Sequence, residues 1–562
     1  MTRPHAPRAA TWLLCAAALA LSACASAPVE PAAGTRLLIV NARVWSHPEA
    51  DAVLVRGRRI AAIGRAADLQ KEHGPGIDAH GGLLLPGLVD AHCHVLSGAT
   101  SQRQLGLDGA KDLAAVQAAL RRWAAEHPRE PWLCGRGWTF DLVPDGKTPT
   151  RQQLDAVIDS RPVVLESYDG HALWVNTRAL ELAGVTAATV DPAAGQVVRE
   201  ADGKTPSGLL LEDAMPLVER ALPKLDDVER RVRLRAGLQH LLELGLTGVD
   251  AICGDLDEAY AFVQLAKAGE LPLRVTLWLP LAGDLDAYVK LRDDLPAHGL
   301  LRVGHLKGFL DGVIEAETAY MLAPYASPPG TTARGEPAIP PARLFELVKA
   351  AHARGLPVAL HAIGDGAVRL ALDAFAAARE AYPDQELRDR IEHIEVVHQE
   401  DLPRFRALDT VASMQPIHAD PGAEPDEGTW SKNLGPARLE RSFAWRALLD
   451  AKAVLAFGSD WPVMSANPLW GLAVATTRRS RQGLPKGGWN AHQAIGADEA
   501  VRAYTAGAAY AHGRERELGK LEPGQLADLV VLDPSVRLDQ PAALWEGKPR
   551  LVVVDGVVRL GR

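Results

Sequence analysis

The chain has 562 residues, more than one typical hydrophobic core accommodates, so the sequence predicts several domains or one large, elaborated domain. Its 47% hydrophobic and 23% charged residues are typical of a globular protein. The net charge of −9, without any basic block, argues against a nucleic-acid-binding surface.

The N-terminus resembles an export signal. Arg3 and Arg8 precede TWLLCAAALALSA, an apolar stretch too short to span a membrane comfortably and typical of a secretory h-region. It ends in LSAC, residues 21–24, which resembles a bacterial lipobox. We therefore predict a lipoprotein signal peptide over residues 1–23, lipidation of Cys24 and a cell-envelope location. The alternative is an ordinary signal cut near ASA, residues 25–27, and a soluble periplasmic protein.

Short strands separated by glycine and charged turns are predicted at both ends of the chain. The N-terminal stretches are GTRLLIVNARVW and AVLVRGRRIAAIG, and the C-terminal ones are GQLADLVVLDP and PRLVVVDGVVRLG. Because chain termini often lie close together, we expect residues 35–86 and 518–562 to form one small β-sandwich.

Between these ends, apolar runs alternate with helical patterns, which predicts βα units and a parallel sheet. Eight candidate strands are found, at residues 82–95, 245–252, 273–279, 301–312, 356–364, 390–397, 410–418 and 453–461. The predicted fold class is therefore α/β, with a (β/α)8 TIM barrel over residues 87–97 and 236–517 and an active site at the carboxyl ends of its strands.

One connection is too long for an ordinary βα loop. Residues 98–235 separate the first two barrel strands and are rich in aromatic and turn residues. Because an insertion after a barrel strand lies over the catalytic face, we interpret this segment as a lid or substrate-pocket subdomain.

The first barrel strand carries metal-binding residue types at every second position. In GLVDAHCHV, residues 87–95, Asp90, His92 and His94 share one face of the strand because strand side chains alternate. Asp90 is expected to orient a histidine or to bind backbone.

Other strand ends supply further polar residues, namely Lys307, His361, His393 and Asp460. Such groups are expected to meet at one barrel mouth, where four imidazoles and a carboxylate suit zinc or a similar divalent ion. An ordinary ammonium would repel the metal, whereas a lysine carboxylated by carbon dioxide would be an anionic bridge between two ions.

The sequence resembles the amidohydrolase superfamily, in particular its branch of proteins similar to N-substituted formamide deformylase. The matching stretches are PGLVDAHCHV, GRGWTFDL, DGHALWVNTRAL, GLTGVD, LKGFLDG, LHAIGDGA, RIEH, MQPIHA, AFGSDWPV and LGKLEPGQLADLVVLD. The resemblance implies that His92 and His94 bind one metal, Lys307 bridges, His361 and His393 bind a second metal, and Asp460 lies at the reaction centre. Family members differ in having one or two ions and in having the bridge.

The expected mechanism is attack on a carbonyl by water that the metal acidifies, with Asp460 accepting the proton and returning it to the leaving amine. His171, His418 and Trp461 are candidate substrate contacts, Asp311 is expected to orient Lys307, and His352 is expected on the solvated surface. For His393, the rival ligand is His398, and the IEH match favours His393.

The leading functional hypothesis is a metal-dependent hydrolase of a non-peptide carbon–nitrogen bond in a small molecule. The alternatives are a metal-dependent esterase, lactonase or phosphoester hydrolase of the same fold, and a non-catalytic envelope binding lipoprotein. No nucleic-acid partner is expected, and the lipid anchor is the only expected membrane contact.

Overall fold

The computed structural model describes residues 35–142, 148–192, 195–422 and 425–561. The predicted signal peptide over residues 1–23 and the predicted lipidation site Cys24 lie outside the described residues. Within the described ranges, no helix is both long and apolar enough to cross a bilayer.

The centre of the molecule is an eight-stranded parallel sheet whose strands follow one another in chain order. Most of their residues are buried on both faces, as expected for parallel strands that helices cover. The sheet curls into a barrel, which confirms the predicted (β/α)8 fold. The strands are Leu88–Cys93, Leu246–Ile252, Arg274–Pro280, Leu301–Phe309, Val358–Ala362, Arg390–His393, Val411–Met414 and Leu455–Phe457.

The barrel closes where the eighth strand meets the first. The Asp460 amide donates to the His92 carbonyl at 2.8 Å, and the His94 amide donates to the Trp461 carbonyl at 2.9 Å. Gly458 allows this approach, because a Cβ atom there would lie 2.5 Å from the His92 backbone nitrogen. Two backbone hydrogen bonds between residues of the predicted site therefore close the barrel.

Helices cover the outside of the barrel, and several begin at an aspartate that caps their first turn. Asp255, for example, accepts a hydrogen bond from the Glu258 amide at 2.8 Å and so pairs a free N–H group of the helix start. The α-helices of the barrel are Val95–Ser101, Asp227–Glu243, Leu256–Lys267, Leu285–Asp294, Pro341–His352, Asp365–Ala381, Leu402–Ala407, Thr429–Leu434, Pro436–Leu439, Trp445–Asp450, Pro468–Thr477, Ala497–Arg502 and Ala508–Ala511.

Both chain ends contribute to a pair of facing sheets. One sheet holds Arg59–Gly64, Ala52–Arg56, Arg36–Val40 and Ile77–Asp78; the other holds Arg43–Val44, Leu83–Pro86, Leu529–Leu532, Pro549–Val554 and Val557–Gly561. A shared core, including Ile39, Val53, Leu84 and Val553, lies between them. The buried Arg274 of the third barrel strand ties this unit to the barrel, since its guanidinium binds Asp528 at 2.6 Å and Asp555 at 2.7 Å.

The segment between the first two barrel strands folds around its own six-stranded sheet. Its strands are Gly195–Arg199, Pro206–Glu212, Ala172–Val175, Val163–Ser167, Leu133–Trp138 and Leu105–Gly106, and its α-helices are Leu113–Glu126, Arg151–Asp155, Thr177–Ala183 and Pro216–Glu219. Trp138 and Trp174 are fully buried in its core. The helix Asp227–Glu243, which returns the chain to the barrel, starts before the expected boundary at residue 236.

Candidate active site

Asp90 fixes the backbone on which the first-strand histidines sit. Its Oδ1 accepts hydrogen bonds from the His92 amide at 3.1 Å and the Ser459 amide at 2.9 Å, and its Oδ2 accepts from the Ser459 hydroxyl at 2.5 Å. A buried carboxylate thus joins the first strand to the loop after the eighth. Asp90 binds backbone, which is one of the two roles expected for it.

Asp460 is the centre of the polar cluster at the barrel mouth. Its Oδ1 lies 3.3 Å from the Nε2 atoms of both His92 and His94, and its Oδ2 lies 3.9 Å from the Nδ1 of His393. Burial disfavours the carboxylate, but the nearby imidazoles, His92 above all, outweigh it and hold the pKa of Asp460 well below its ordinary value. Asp460 is therefore ionised at neutral pH.

The orientation of His92 is set from inside the barrel. Its Nδ1 lies 2.5 Å from the Glu392 carboxylate, which also accepts from the Ser413 hydroxyl at 2.6 Å and the Arg390 guanidinium at 2.7 Å. With Nδ1 as the donor, the Nε2 lone pair points toward Asp460, the arrangement by which carboxylates orient metal-binding histidines.

Arg390 and Glu392 were not predicted, although the sequence holds a signal for them. Two opposite charges at alternate positions of a short buried strand must pair inside the barrel. Arg390 is fully buried, binds Asp250 at 2.9 Å and the Ala91 carbonyl at 2.7 Å, and lies 4.5 Å from the ring centre of Trp278. Burial raises the pKa of Glu392, but Arg390 and His92 lower it more, to about 2.

Lys307 and His361 complete the group of six predicted residues at one mouth. The Lys307 Nζ is buried and lies 3.4 Å from the Nε2 of His92, and burial lowers the Lys307 pKa to about 8. The ring of His361 lies 4.5 Å from that of His393, which lies 4.9 Å from that of His92. The structure therefore brings together His92, His94, Lys307, His361, His393 and Asp460.

Two of these side chains are aimed by unusual backbone conformations. His393 has φ 74°, Ile394 has φ 48° and Asp460 has φ 59°, in the left-handed region that non-glycine residues rarely adopt. Each such residue costs on the order of 1–3 kcal/mol and persists only where the surrounding structure holds it. The strain falls on two residues of the polar cluster.

The cluster fits a divalent metal ion. His92, His393 and Asp460 each offer a ligand atom, and these atoms all lie within 4.8 Å of one another. The His393 Nδ1 and Asp460 Oδ1 atoms are buried and lack a hydrogen-bond partner among the described residues. Because buried polar atoms are nearly always paired, a donor set of imidazole nitrogens and a carboxylate without partners fits an ion of the zinc type.

Two of the three candidate substrate contacts lie at the mouth. His171, from the insertion, has its ring 5.3 Å from that of His361 and its Nδ1 2.8 Å from Glu212. Burial lowers the pKa of His171, but the Glu212 carboxylate more than offsets this and raises it to about 9. The His418 Nε2 lies 4.0 Å from Asp460 and has no partner within the described part of the chain.

Three expectations are corrected. The Trp461 ring packs against Gly98 and His240 and fills the core instead of facing substrate. Asp311 does not orient Lys307; it accepts hydrogen bonds from the backbone amides of Tyr320, Ile363 and Gly364. His352 is 1% exposed, because its helix turns it inward to bind Asp389 at 3.0 Å.

The rival histidine, His398, lies apart from the cluster. Its Nδ1 is 3.1 Å from the Arg369 guanidinium, and its side chain is 29% exposed. His393, by contrast, is buried beside Asp460. The choice of His393 over His398 is therefore the one that matches the geometry.

A cavity of about 290 Å³ opens beside the polar cluster, a size that fits a small molecule. His418 lies on its wall and connects it to Asp460. The lining also includes the aromatic and acidic residues Tyr168, Glu315, Glu395, Trp430, Phe443 and Trp489. The site thus has a place for a substrate next to its charged centre.

Comparison with known proteins assigns the chain to a family. The profile of the amidohydrolase family matches residues 76–559, which is most of the chain and includes every residue of the cluster. The chain belongs to the amidohydrolase family. The His–Asp cluster that fits a divalent ion lies within the residues that this amidohydrolase shares with the family profile.

Relatives match over nearly their whole length. The amidohydrolase is 32% identical over 521 residues to Protein LONG AFTER FAR-RED 3 of Arabidopsis thaliana, covering 88% of this chain and 87% of that one. It is 28% identical to the N-substituted formamide deformylase of Arthrobacter pascens, covering 94% and 98%. An uncharacterized metal-dependent hydrolase from Pyrococcus horikoshii OT3 shares the fold, with a TM-score of 0.69, 23% identity and coverage of 90% and 99%.

Proposed function

We propose that this amidohydrolase hydrolyses a non-peptide carbon–nitrogen bond, an amide or formamide, in a small molecule. The observation that carries the proposal is the ionised Asp460 carboxylate, held within 4 Å of His92, His94 and His393 beside a cavity of small-molecule size. The N-substituted formamide deformylase of Arthrobacter pascens, which is similar over 94% of this chain, supports the bond type.

The residues that would hold the metal are His92, His94, His361, His393 and Asp460, and we propose zinc, as one or two ions. When bound, such an ion supplies Lewis-acid polarisation of a carbonyl and lowers the pKa of water.

We also propose that Lys307 is carboxylated. The pKa of about 8 means that an appreciable fraction of the amine is neutral near pH 7 and able to react with carbon dioxide. The Lys307 nitrogen would form a bond to the carbon of carbon dioxide and release a proton to solvent. The resulting carbamate would carry a negative charge close to His92.

Asp460 acts as the proton carrier in this proposal. Its carboxylate is ionised and so can accept a proton from an attacking water, and it returns that proton to the departing amine. Glu392 keeps the Nδ1 proton on His92, so that the Nε2 lone pair stays directed at the reaction centre.

Hydrolysis of matched formamides, acyl amides, esters and a phosphoester by the purified protein tests the bond type. Preference for the amides supports the proposal, whereas turnover of esters or phosphoesters alone supports a hydrolase of a different bond. A protein that holds stoichiometric metal yet turns over nothing would support the envelope binding protein instead.

Asp460→Asn tests the proposed role of Asp460. We expect the variant to fold and to retain metal, because the amide keeps the shape and one oxygen, and to lose at least about 100-fold in kcat, the usual contribution of a general acid–base. Metal analysis and kcat measurements check this, with the exposed Asp294→Asn as the matched control that leaves kcat unchanged. Wild-type turnover by Asp460→Asn would remove Asp460 from the mechanism.

We further propose that the protein is exported and anchored in the cell envelope through lipid on Cys24. The support is the sequence of residues 1–24, with its basic start, apolar stretch and LSAC end.

A further inference from the structure

Gln415 is a buried side chain with no partner in the described structure. It follows directly after the seventh barrel strand and is 1% exposed, yet neither its side-chain oxygen nor its nitrogen forms a hydrogen bond with any described residue. Buried amides are almost always hydrogen-bonded, because an unpaired one loses its bonds to water without replacement. The proposed mechanism makes no use of this residue.

The strand geometry directs Gln415 toward the barrel mouth. Ser413 faces the barrel interior, since its hydroxyl donates to Glu392. Gln415 has extended backbone angles, φ −114° and ψ 96°, so the alternation continues and Gln415 falls on the same side as Ser413, one layer nearer the mouth. The same turn carries His418, whose unpaired Nε2 lies 4.0 Å from Asp460.

A glutamine side chain can donate and accept at the same time. Its Oε1 accepts from an N–H group, and its Nε2 donates to a carbonyl oxygen. A substrate amide or formamide presents both groups, whereas an ester of the same shape presents only the acceptor. A site that leaves a buried acceptor unpaired when the ester binds discriminates against that ester.

We propose that Gln415 hydrogen-bonds the amide group of the substrate and is the residue by which this enzyme prefers amides and formamides over esters. This inference rests on the proposed function for its substrate class. It goes beyond that function in assigning the preference to one side chain that the fold leaves unpaired.

The test compares Gln415→Met, which keeps length and removes both polar atoms, with wild type on N-butylformamide and butyl formate. We expect kcat/KM for the formamide to fall at least about tenfold, and that for the formate ester to change less than about threefold. We also expect a higher Tm, because the substitution removes an unpaired buried amide. If Gln415 had only a structural role, Gln415→Met would have a lower Tm than wild type.

Gln493→Met is the matched control. Gln493 is also buried, but its Oε1 accepts from the Ala447 amide at 3.2 Å, outside the polar cluster. The control should lower Tm and leave the formamide-to-ester ratio unchanged.

The outcomes separate this inference from the proposed function. If wild type hydrolyses formamides, and Gln415→Met lowers kcat/KM equally for both substrates or lowers Tm, the inference is overturned while the proposed function stands. If wild type hydrolyses neither substrate, the shift in Tm that N-butylformamide produces is the deciding measurement. Loss of this shift in Gln415→Met, with the shift retained in Gln493→Met, supports an amide contact. A shift retained in both variants overturns the inference. Gln415→Leu replaces the Met variant if that variant does not fold.

Discussion

Arg390→Met is expected to be among the most destabilising single substitutions in the barrel interior. Arg390 is the cation that pairs two fully buried carboxylates, Asp250 at 2.9 Å and Glu392 at 2.7 Å. Methionine fills a similar length but leaves both carboxylates without this partner. Removing one member of a buried ion pair costs about 3–5 kcal/mol, because the remaining charge stays buried.

The pKa of Glu392 gives an independent magnitude. A fall from the ordinary 4.5 to about 2 corresponds to about 3 kcal/mol of preference for the ionised form in the folded state, at about 1.4 kcal/mol per pH unit. Burial opposes this lowering and Arg390 is its largest cause. Because the folded pKa is depressed, the contribution is full above about pH 4.5 and is lost as the pH falls toward 2.

Urea unfolding at pH 7 measures the effect, with Arg388→Met as the matched control. Arg388 is two residues away, partly exposed and paired with Asp409 at 2.8 Å, so its loss should cost no more than about 1 kcal/mol. The expected free energy of unfolding is about 3–5 kcal/mol lower for Arg390→Met than for wild type, and adding Glu392→Gln should restore part of it. A loss no larger than that of Arg388→Met would refute the reasoning.

Two further predictions concern other parts of the chain. Burial raises the pKa of Glu258 from 4.5 to about 7, so the folded state favours its protonated form and loses stability as the pH rises from about 4.5 to about 7. The free energy of unfolding of Glu258→Gln, relative to that of wild type, should therefore increase by up to about 3 kcal/mol from pH 5 to pH 8.5, as measured by urea unfolding. A difference that does not change with pH would contradict this. Cys24→Ser should move the expressed protein from the membrane fraction to the soluble fraction, whereas the control Cys15→Ser should remain in the membrane fraction. Equal fractionation of wild type and Cys24→Ser would rule out the anchor.

Much of the fold was predictable because each barrel strand is a short apolar run, and six of the eight expected ranges carry a candidate site residue. All eight expected ranges overlap a barrel strand, and several extend beyond its end because polar residues such as His418 and Asp460 lie in the loops that follow. Parallel strands place their carboxyl ends at one mouth, so residues far apart in sequence could be expected to meet.

Other features could not be read from the sequence because they depend on orientation. Helical periodicity did not predict that His352 faces inward and binds Asp389, and no local pattern indicates that the Trp461 ring packs against Gly98. Arg390 and Glu392 lie in a quoted motif, but their bonds to Asp250 and His92 cross the barrel. The unpaired state of Gln415 is a property of its surroundings and has no signature in its neighbours along the chain.

The closure of the barrel has a consequence for how the enzyme is made. The bonds from Asp460 to His92 and from His94 to Trp461 join residues more than 360 positions apart. A chain that ends before residue 460 lacks Asp460 and the contacts that join the eighth barrel strand to the first. The candidate site is therefore complete only after more than four fifths of the chain has been synthesised.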